Sequence, residues 1–341
     1  MVAAIFALSL GAWLTGAAQQ PAAAPLPVPQ LPPQTFVEWL AALRSEAVTR
    51  GITEATLDRA LTDLEPLPVV IERDRSQAEL VLTLDQYLER RLTRAMIKAA
   101  QKMGAQHRTL LRKVSAKYGV PPGVIVAVWG LESNYGRFSG VRPTIATLAT
   151  LAYDPRRSAM FREELFNALK ILDSGDVEPV ALKGSWAGAL GQPQFMPSSF
   201  LEFAQDFDGD GRRDIWKSTP DVFASIANYL SAHGWTKGRT WGREVKVPAA
   251  IADAVADAAP LQEAGCLAER QMSVPLPLNE WRKLGVRTMT GTKVPLTNLK
   301  ASLVAAGPRR FLVYPNYQAL LAYNCVHAYG LSVALLSGRV H

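Results

Sequence analysis

The chain has 341 residues, 48% of them apolar, and a formal net charge of +7. This length allows two or three domains or one large domain with insertions, and the apolar content allows a sizeable core. The basic residues are spread along the chain, so the charge fits a cell wall, a membrane surface or a nucleic acid as partner. It fits a solvated basic surface equally well, and it excludes none of these.

The first 19 residues have the character of an export signal. Met1–Ala18 is apolar, carries no charged side chain and ends in small residues, although no lysine or arginine precedes it. The run is short for a membrane span, and no cysteine follows it that could carry a lipid. Residues 1–19 are therefore predicted to be the signal peptide of an exported protein that is not a lipoprotein. The proline-rich, uncharged residues 20–35 are predicted to be an extended linker.

Helical patterns fill residues 36–105, which we interpret as an N-terminal helical domain. Apolar residues recur at helical spacing from Phe36 and again from Thr53. A stripe of apolar residues predicts one long helix over Glu79–Met103, and residues 66–78 read as an irregular loop. No catalytic chemistry is indicated in this part of the chain.

The most informative stretch is GVIVAVWGLESNYG, residues 123–136. An apolar run without a polar face predicts a helix buried on all sides, with proline at its start and Gly136 as its stop. Glu132 lies at its end, where desolvation and the negative end of the helix dipole both raise the pKa of a carboxyl group. Such a group suits a general acid. The alternative is an ordinary helix-end glutamate that turns to solvent.

The chain from residue 106 onwards is predicted to contain further helices and one subdomain of mixed structure. Ser198 or Ser199 is expected to cap a helix that starts at Phe200. Three further parts are predicted: a helical core with an EF-hand-like loop, a small mixed subdomain with short strands, and two C-terminal helices that complete the core (residues 106–244, 245–314 and 315–341).

The segment DFDGDG, residues 206–211, matches the opening of an EF-hand loop, with carboxylates at alternate positions. The twelfth position is Lys217 instead of the usual glutamate, so Asp214 or Asp221 would have to close the shell. The alternative is an acidic surface turn. Because clustered carboxylates repel each other without a cation, the pattern favours a Ca²⁺ site.

Other catalytic classes lack their motifs. The four histidines form no HExxH pair, no serine lies in a GxSxG elbow, and no glycine loop precedes Lys-Ser/Thr, so metal-hydrolase, serine-hydrolase and nucleotide chemistry are disfavoured. Cys266 and Cys325 could form a disulfide or stay as buried thiols. Ordinary glycosidases use two carboxylates, but Glu132 has no second carboxylate at a fixed offset. A single acid points to substrate-assisted chemistry or an intramolecular nucleophile.

Four motifs, taken together and in order, resemble the lytic murein transglycosylases of the B type. They are ESNYG at 132–136, KGSWAGALGQPQFMPSS at 183–199, DFDGDG followed by ANYLSAHGW at 227–235, and YNCVHAYG at 323–330. The resemblance runs from about residue 36 to the end. It implies a mainly α (α+β) fold, in which a lysozyme-like helical core carries an N-terminal helical domain and a small mixed α/β insertion.

The resemblance also implies an activity. Such enzymes cleave the β-1,4 bond between N-acetylmuramic acid and N-acetylglucosamine in peptidoglycan and leave 1,6-anhydromuramic acid ends. Glu132 matches their single catalytic acid/base. Seven residues match positions that line the sugar groove: Ser185, Gln194, Phe195, Tyr229, Tyr323, Asn324 and Tyr329. Five match the Ca²⁺ loop of the family: Asp206, Asp208, Asp210 and Asp221 through side chains, and Arg212 through its backbone carbonyl.

The implied cofactor and partners follow from that activity. Catalysis needs no cofactor, and a Ca²⁺ ion would have a structural role. The expected partners are peptidoglycan glycan strands and proteins of cell-wall synthesis, with no nucleic acid, and the chain is expected to be a monomer. Two alternatives stay open: a lysozyme-type hydrolase that adds water, and a non-catalytic peptidoglycan-binding scaffold. The buried acid Glu132 argues against the scaffold.

Overall fold

The structure, a computed structural model, describes residues 35–75, 83–156 and 158–340. The predicted signal peptide and all but the last residue of the predicted linker lie outside these residues. The described chain is mainly helical, with one two-stranded and one five-stranded sheet. The prediction of a mainly α chain with a smaller β component is confirmed.

The described residues of the N-terminal part form five helices: α1 (Phe36–Thr49), α2 (Glu54–Leu61), α3 (Pro68–Arg75), α4 (Leu84–Arg91) and α5 (Arg94–Gln106). The loop predicted over residues 66–78 is wrong, because Pro68 opens α3 and Val70 is fully buried. The single helix predicted over Glu79–Met103 is also wrong. Thr93 accepts a 3.2 Å hydrogen bond from the Met96 N–H and so caps a second helix.

The central part contains six helices and two short strands: α6 (Arg108–Tyr118), α7 (Pro122–Ser133), β1 (Arg142–Pro143), α8 (Thr144–Tyr153), α9 (Ser158–Asp173), β2 (Lys183–Gly184), α10 (Pro197–Phe203) and α11 (Thr219–Ala232). α10 begins at Pro197, so the predicted serine cap before Phe200 is wrong. The Ser198 N–H and hydroxyl donate instead to the Glu164 carboxylate, at 2.9 and 2.6 Å.

Residues 242–313 contribute the antiparallel five-stranded sheet, in the order β4-β6-β7-β3-β5. Its strands are β3 (Gly242–Lys246), β4 (Leu276–Pro277), β5 (Arg287–Thr288), β6 (Lys300–Ala306) and β7 (Arg309–Val313). Three helices accompany them: α12 (Ala252–Ala258), α13 (Leu267–Arg270) and α14 (Leu278–Lys283). Their apolar side chains form a separate core around the fully buried Trp281. The domain boundaries given above stay a prediction.

The last two helices, α15 (Asn316–Tyr323) and α16 (His327–Ser337), return to the helical core. A disulfide joins Cys266, just before α13, to Cys325, in the turn between α15 and α16, with a Cα–Cα distance of 6.4 Å. The two cysteines therefore form a disulfide in the structure and are not free thiols.

α7 is the centre of this core. Every residue of Val124–Leu131 is buried, and α5, α6, α11 and α16 all pack against the helix. Gly123 is needed for this packing, because a Cβ atom there would lie 2.5 Å from the Ser337 carbonyl oxygen of α16. No single helix in the described residues is long and apolar enough to cross a membrane, and α6 and α7 meet at a bend of 108°.

Candidate active site

Glu132 lies in the last turn of α7, at the edge of the core. The helix ends at Ser133, because Asn134 adopts a left-handed conformation with φ +49°. The predicted stop at Gly136 is therefore wrong by two residues. The residue Glu132 is half-buried, and protein atoms surround its carboxyl group. The side chain of Glu132 therefore does not turn out into bulk solvent, which was the alternative interpretation of a glutamate at the end of a helix.

Burial raises the pKa of Glu132 to about 7, while the hydroxyl of Tyr329 and the charge of Arg91 act in the opposite direction. Arg91 is held nearby because its guanidinium donates a 2.8 Å hydrogen bond to the Leu131 carbonyl at the end of α7. A carboxyl with a pKa near neutrality can both give and accept a proton at physiological pH. No second carboxylate of the described chain contributes to this shift.

A row of aromatic rings extends from Glu132. Tyr329 and Tyr323 stack with ring centroids 6.2 Å apart, Tyr229 lies 4.7 Å from Tyr323, and Phe195 lies 5.4 Å from Tyr229. The Tyr323 hydroxyl donates to the Pro193 carbonyl at 2.7 Å, and the Tyr229 hydroxyl donates to the Ala322 carbonyl at 2.8 Å. The structure therefore brings together four of the seven predicted groove residues.

Tyr329 has a special place in this row. Burial and the charge of Glu132 raise the pKa values of Tyr329 and Tyr323 well above the usual range, so both stay protonated. The Tyr329 hydroxyl is close enough to lower the pKa of Glu132, yet no described group forms a hydrogen bond of normal geometry with it. A buried hydroxyl without a partner is costly in a core, and it is consistent with a group that contacts a ligand.

The other three predicted groove residues are placed by loops. The Ser185 hydroxyl accepts hydrogen bonds from the Ala187 and Ala189 N–H groups, at 3.3 and 3.1 Å, so its own hydrogen is left to donate. Gln194 has φ +54° and donates from its amide to the Gly191 carbonyl at 2.8 Å. Asn324 is exposed at the end of α15. Among the described contacts, none of these three hydrogen-bonds to Glu132 or to the aromatic row.

Two residues of this region were missed by the sequence reasoning. Gln192 is 7% exposed, and its side-chain amide bridges two parts of the chain. The amide oxygen accepts from the Trp129 indole of α7 at 2.6 Å, and the amide nitrogen donates to the Trp216 carbonyl at 2.7 Å. Gln192 lies inside the motif at 183–199, and its position in that motif is the sequence signal from which it could have been found. Arg91 lies in the N-terminal part that showed no catalytic pattern, so no sequence signal indicated it.

The aspartate loop gathers three carboxylates. Asp206, Asp208 and Asp210 each place an oxygen within 4.8 Å of the others. The loop is preshaped by its own hydrogen bonds: Asp206 accepts from the Gly209 and Gly211 N–H groups, at 2.7 and 2.9 Å. Three anionic oxygen donors in a tight turn fit a hard cation such as Ca²⁺.

Asp221 stands behind this loop. It is fully buried in the first turn of α11, and its two oxygens accept from the Phe207 and Asp214 N–H groups, at 2.8 and 2.9 Å. It is not a member of the three-carboxylate cluster. Its hydrogen bonds tie the two ends of the loop together, and Arg212, the fifth predicted ligand, lies exposed between them.

Comparison with known proteins shows similarity to one family over most of the chain. Residues 35–338 match the family model described as the transglycosylase SLT domain. Over 134 residues the chain is 43% identical to the membrane-bound lytic murein transglycosylase B of Escherichia coli K12. That alignment covers 39% of this chain and only 37% of the E. coli protein.

Solved structures match over a longer range. SltB3 of Pseudomonas aeruginosa, in complex with NAG-anhNAM-pentapeptide, superposes with a TM-score of 0.81 and 41% identity, covering 89% of this chain and 79% of that one. Slt35 of Escherichia coli, in complex with calcium, gives a TM-score of 0.72 and 26% identity, covering 88% and 91%.

Proposed function

The chain belongs to the transglycosylase SLT domain family, and on this basis we propose that it is a lytic transglycosylase of peptidoglycan. The bond cleaved would be the β-1,4 linkage between N-acetylmuramic acid and N-acetylglucosamine, and the new end a 1,6-anhydromuramic acid. The resemblance found in the motifs is confirmed by the family match, and the lysozyme-like helical fold by the solved relatives. The observation that carries the proposal is one half-buried carboxyl, Glu132, with a pKa raised to about 7.

The proposed chemistry uses this carboxyl twice. Protonated Glu132 gives its proton to the glycosidic oxygen as the C1–O bond breaks, and the muramyl acetamido group stabilises the positive charge that develops at C1. The Glu132 carboxylate then takes the proton of the C6 hydroxyl, whose oxygen bonds to C1. The acid is restored and no water is consumed, so a second enzyme carboxylate is not required.

The aromatic row would bind the sugars. Aromatic faces pack against the apolar faces of sugar rings, and the protonated hydroxyl of Tyr329 can donate a hydrogen bond beside Glu132. The Tyr323 hydroxyl donates to the Pro193 carbonyl, so towards a sugar it can only accept. Phe195 and Tyr229 would extend the same surface. Ser185, Gln194 and Asn324 would contact substrate from the surrounding loops, each with a side-chain group able to donate to a sugar or acetamido oxygen.

Replacing Tyr329 by Phe tests this arrangement. We expect kcat/KM to fall about tenfold, the equivalent of one hydrogen bond to a charged group in the transition state. Because the hydroxyl lowers the pKa of Glu132, its removal should also move the basic limb of the pH–activity profile to higher pH. The folded state should not be destabilised, since the hydroxyl has no normal hydrogen bond to lose. The matched control is Tyr317→Phe, a buried tyrosine paired with His327, which should leave the pH profile unchanged.

We propose a structural Ca²⁺ at the aspartate loop, held by Asp206, Asp208, Asp210 and the Arg212 carbonyl. Asp221 would either brace the loop through its hydrogen bonds or complete the ligand shell. The ion would neutralise three adjacent carboxylates and take no part in bond cleavage.

Calcium should therefore raise the melting temperature. Binding to the folded state alone stabilises by about 2.7 kcal/mol when free calcium is 100 times Kd. We expect Asp208→Asn to abolish most of this shift in a calcium titration followed by calorimetry. Asp257→Asn, an exposed aspartate of α12, should keep it. An equal melting temperature of the wild-type protein with chelator and with millimolar calcium would contradict the site.

Product analysis separates this function from its alternatives. Purified peptidoglycan digested with the protein should yield muropeptides with anhydro ends by mass spectrometry. Products heavier by one water would favour a lysozyme-type hydrolase, and binding without release would favour a scaffold.

We further propose periplasmic export through residues 1–19, and action as a monomer on glycan strands beside proteins of cell-wall synthesis.

A further inference from the structure

A concave site lies at the opposite end of α7 from Glu132. It is a cavity of about 690 Å³, within the range of small-molecule and peptide pockets. Gly123 and Val124, in the first turn of α7, line it together with the end of α16 and the segment before β3. Glu132 lies nine positions after Gly123, which is about 14 Å along the helix axis. The cavity is therefore distinct from the proposed sugar groove.

The charge of this cavity is uniformly positive. Arg108, Arg112 and Arg239 line it, and no lining residue is acidic. Arg108 and Arg112 are one turn apart on α6, where two like charges repel each other. Within the described residues none of the three guanidinium groups forms an ion pair or a hydrogen bond. Other arginines of the described chain do pair with carboxylates, as Arg309 does with Glu244 at 2.7 Å.

Two tryptophans form part of the remaining wall. Trp241 is half-buried and Trp235 is 6% exposed. The Trp235 indole N–H is itself buried and has no partner in the described chain, so Trp235 contributes its apolar ring to the wall and not a hydrogen-bond donor. α7 begins here, so the positive end of its dipole also faces the cavity. This combination suits a ligand that carries carboxylates and small apolar groups.

We propose that this cavity is an exosite for the stem peptide of peptidoglycan, which binds through the peptide carboxylates. The identification of the ligand rests on the proposed function, since a murein substrate presents peptides with several free carboxylates and alanine methyl groups. The relative SltB3 was solved with a NAG-anhNAM-pentapeptide, so a pentapeptide is a suitable probe. Arginine guanidinium groups bind carboxylates in a bidentate manner, and the tryptophans would pack against the methyl groups.

An exosite of this kind would give the protein a second contact with the same polymer. Peptides elsewhere on the wall could occupy the cavity while a glycan strand lies beside Glu132. Two linked contacts raise the apparent affinity without a change in either one. The exosite would therefore lower KM on peptide-bearing peptidoglycan and leave kcat unchanged.

Calorimetric titration of the full chain with the free stem pentapeptide tests the proposal. We expect saturable one-to-one binding that Arg112→Glu weakens at least tenfold. The matched control Arg270→Glu changes an exposed arginine of α13 that has no ion pair in the described chain, and it should bind as the wild type does. The same peptide with amidated carboxyl groups should bind at least tenfold more weakly. Both arginines are exposed, and melting temperatures will show that the variants are folded.

Several results would overturn the exosite. One is equal affinity of the wild-type protein for the free and the amidated pentapeptide, and another is equal affinity of Arg112→Glu and the wild type for the free pentapeptide. A third is preference for an acidic peptide of L-residues such as triglutamate, which would indicate a protein partner instead.

Kinetic measurements separate this proposal from the proposed function. Arg112→Glu should raise KM on peptide-bearing peptidoglycan and not on peptide-free glycan strands. A wild-type protein that binds the pentapeptide but releases no anhydro product would retain the exosite and refute the transglycosylase.

Discussion

Glu132→Gln is expected to lower kcat on purified peptidoglycan by about 10³-fold or more, which is the scale of a positioned general acid–base. The amide keeps the size of the side chain and its place at the end of α7, but it can neither protonate the glycosidic oxygen nor accept the C6 proton. Both proposed steps fail together. Release of anhydro-muropeptides, quantified by mass spectrometry, is the measurement.

The control is Glu263→Gln, which alters an exposed carboxyl and should leave kcat within twofold. For the wild-type protein, kcat/KM should fall as pH rises above about 7, because the free enzyme must hold Glu132 protonated. A Glu132→Gln variant that retains a tenth of the wild-type rate would remove Glu132 from the catalytic role.

Glu132→Gln should also make the folded protein more stable above neutral pH, whereas a variant that misfolds would be less stable. Glu132 has a folded pKa of about 7 against a usual value of 4.5, so between these values the folded chain binds more protons than the unfolded chain. The free energy of unfolding therefore decreases as pH rises through this window. Glu132→Gln lacks this loss and should be more stable than the wild type at pH 8, by on the order of 1–3 kcal/mol. A loss of activity caused by misfolding would show the opposite sign.

Removal of the Cys266–Cys325 disulfide should cost about 4 kcal/mol in the free energy of unfolding. The bridge closes a loop of 59 residues, and the chain-entropy model assigns roughly that value to such a loop at 25 °C. It also fastens the turn that carries Asn324, next to Tyr323. Urea denaturation of the Cys266→Ser/Cys325→Ser variant is the measurement.

Reductant supplies the internal control for this prediction. It should lower the denaturation midpoint of the wild-type protein to that of the double variant and leave the double variant unchanged. Equal midpoints for the oxidised and reduced wild-type protein would show that the bridge contributes nothing to stability.

Local patterns predicted the elements that lie in one continuous segment. The apolar run before Glu132 specified a helix without a polar face, and α7 is buried as expected. Its end was misplaced because a glycine is the usual left-handed residue, whereas Asn134 takes that conformation here. The helix break at Thr93 was missed because the apolar stripe continues through it, and only the cap marks the change of direction.

Features that depend on tertiary contact could not be read from the sequence. Arg91 acquires its place near Glu132 through a single bond to the Leu131 carbonyl, and no spacing along the chain announces that contact. The motifs did indicate Tyr229, Tyr323 and Tyr329, but their order in one row is a product of packing between α11, α15 and α16. The cavity arginines likewise come from two segments, α6 with Arg108 and Arg112 and the segment before β3 with Arg239, that only folding brings together.

The burial of α7 on every side has an evolutionary consequence. A helix with a solvent face can accept change there without effect on the core, but α7 has no such positions over Val124–Leu131. A substitution in it must be matched by changes in the helices around it. Because Glu132 is carried on this helix, its alignment with the tyrosines cannot be adjusted independently of the core. Adaptation of this protein to new substrates is therefore expected to proceed through the loops of the groove, and its central helix to vary least.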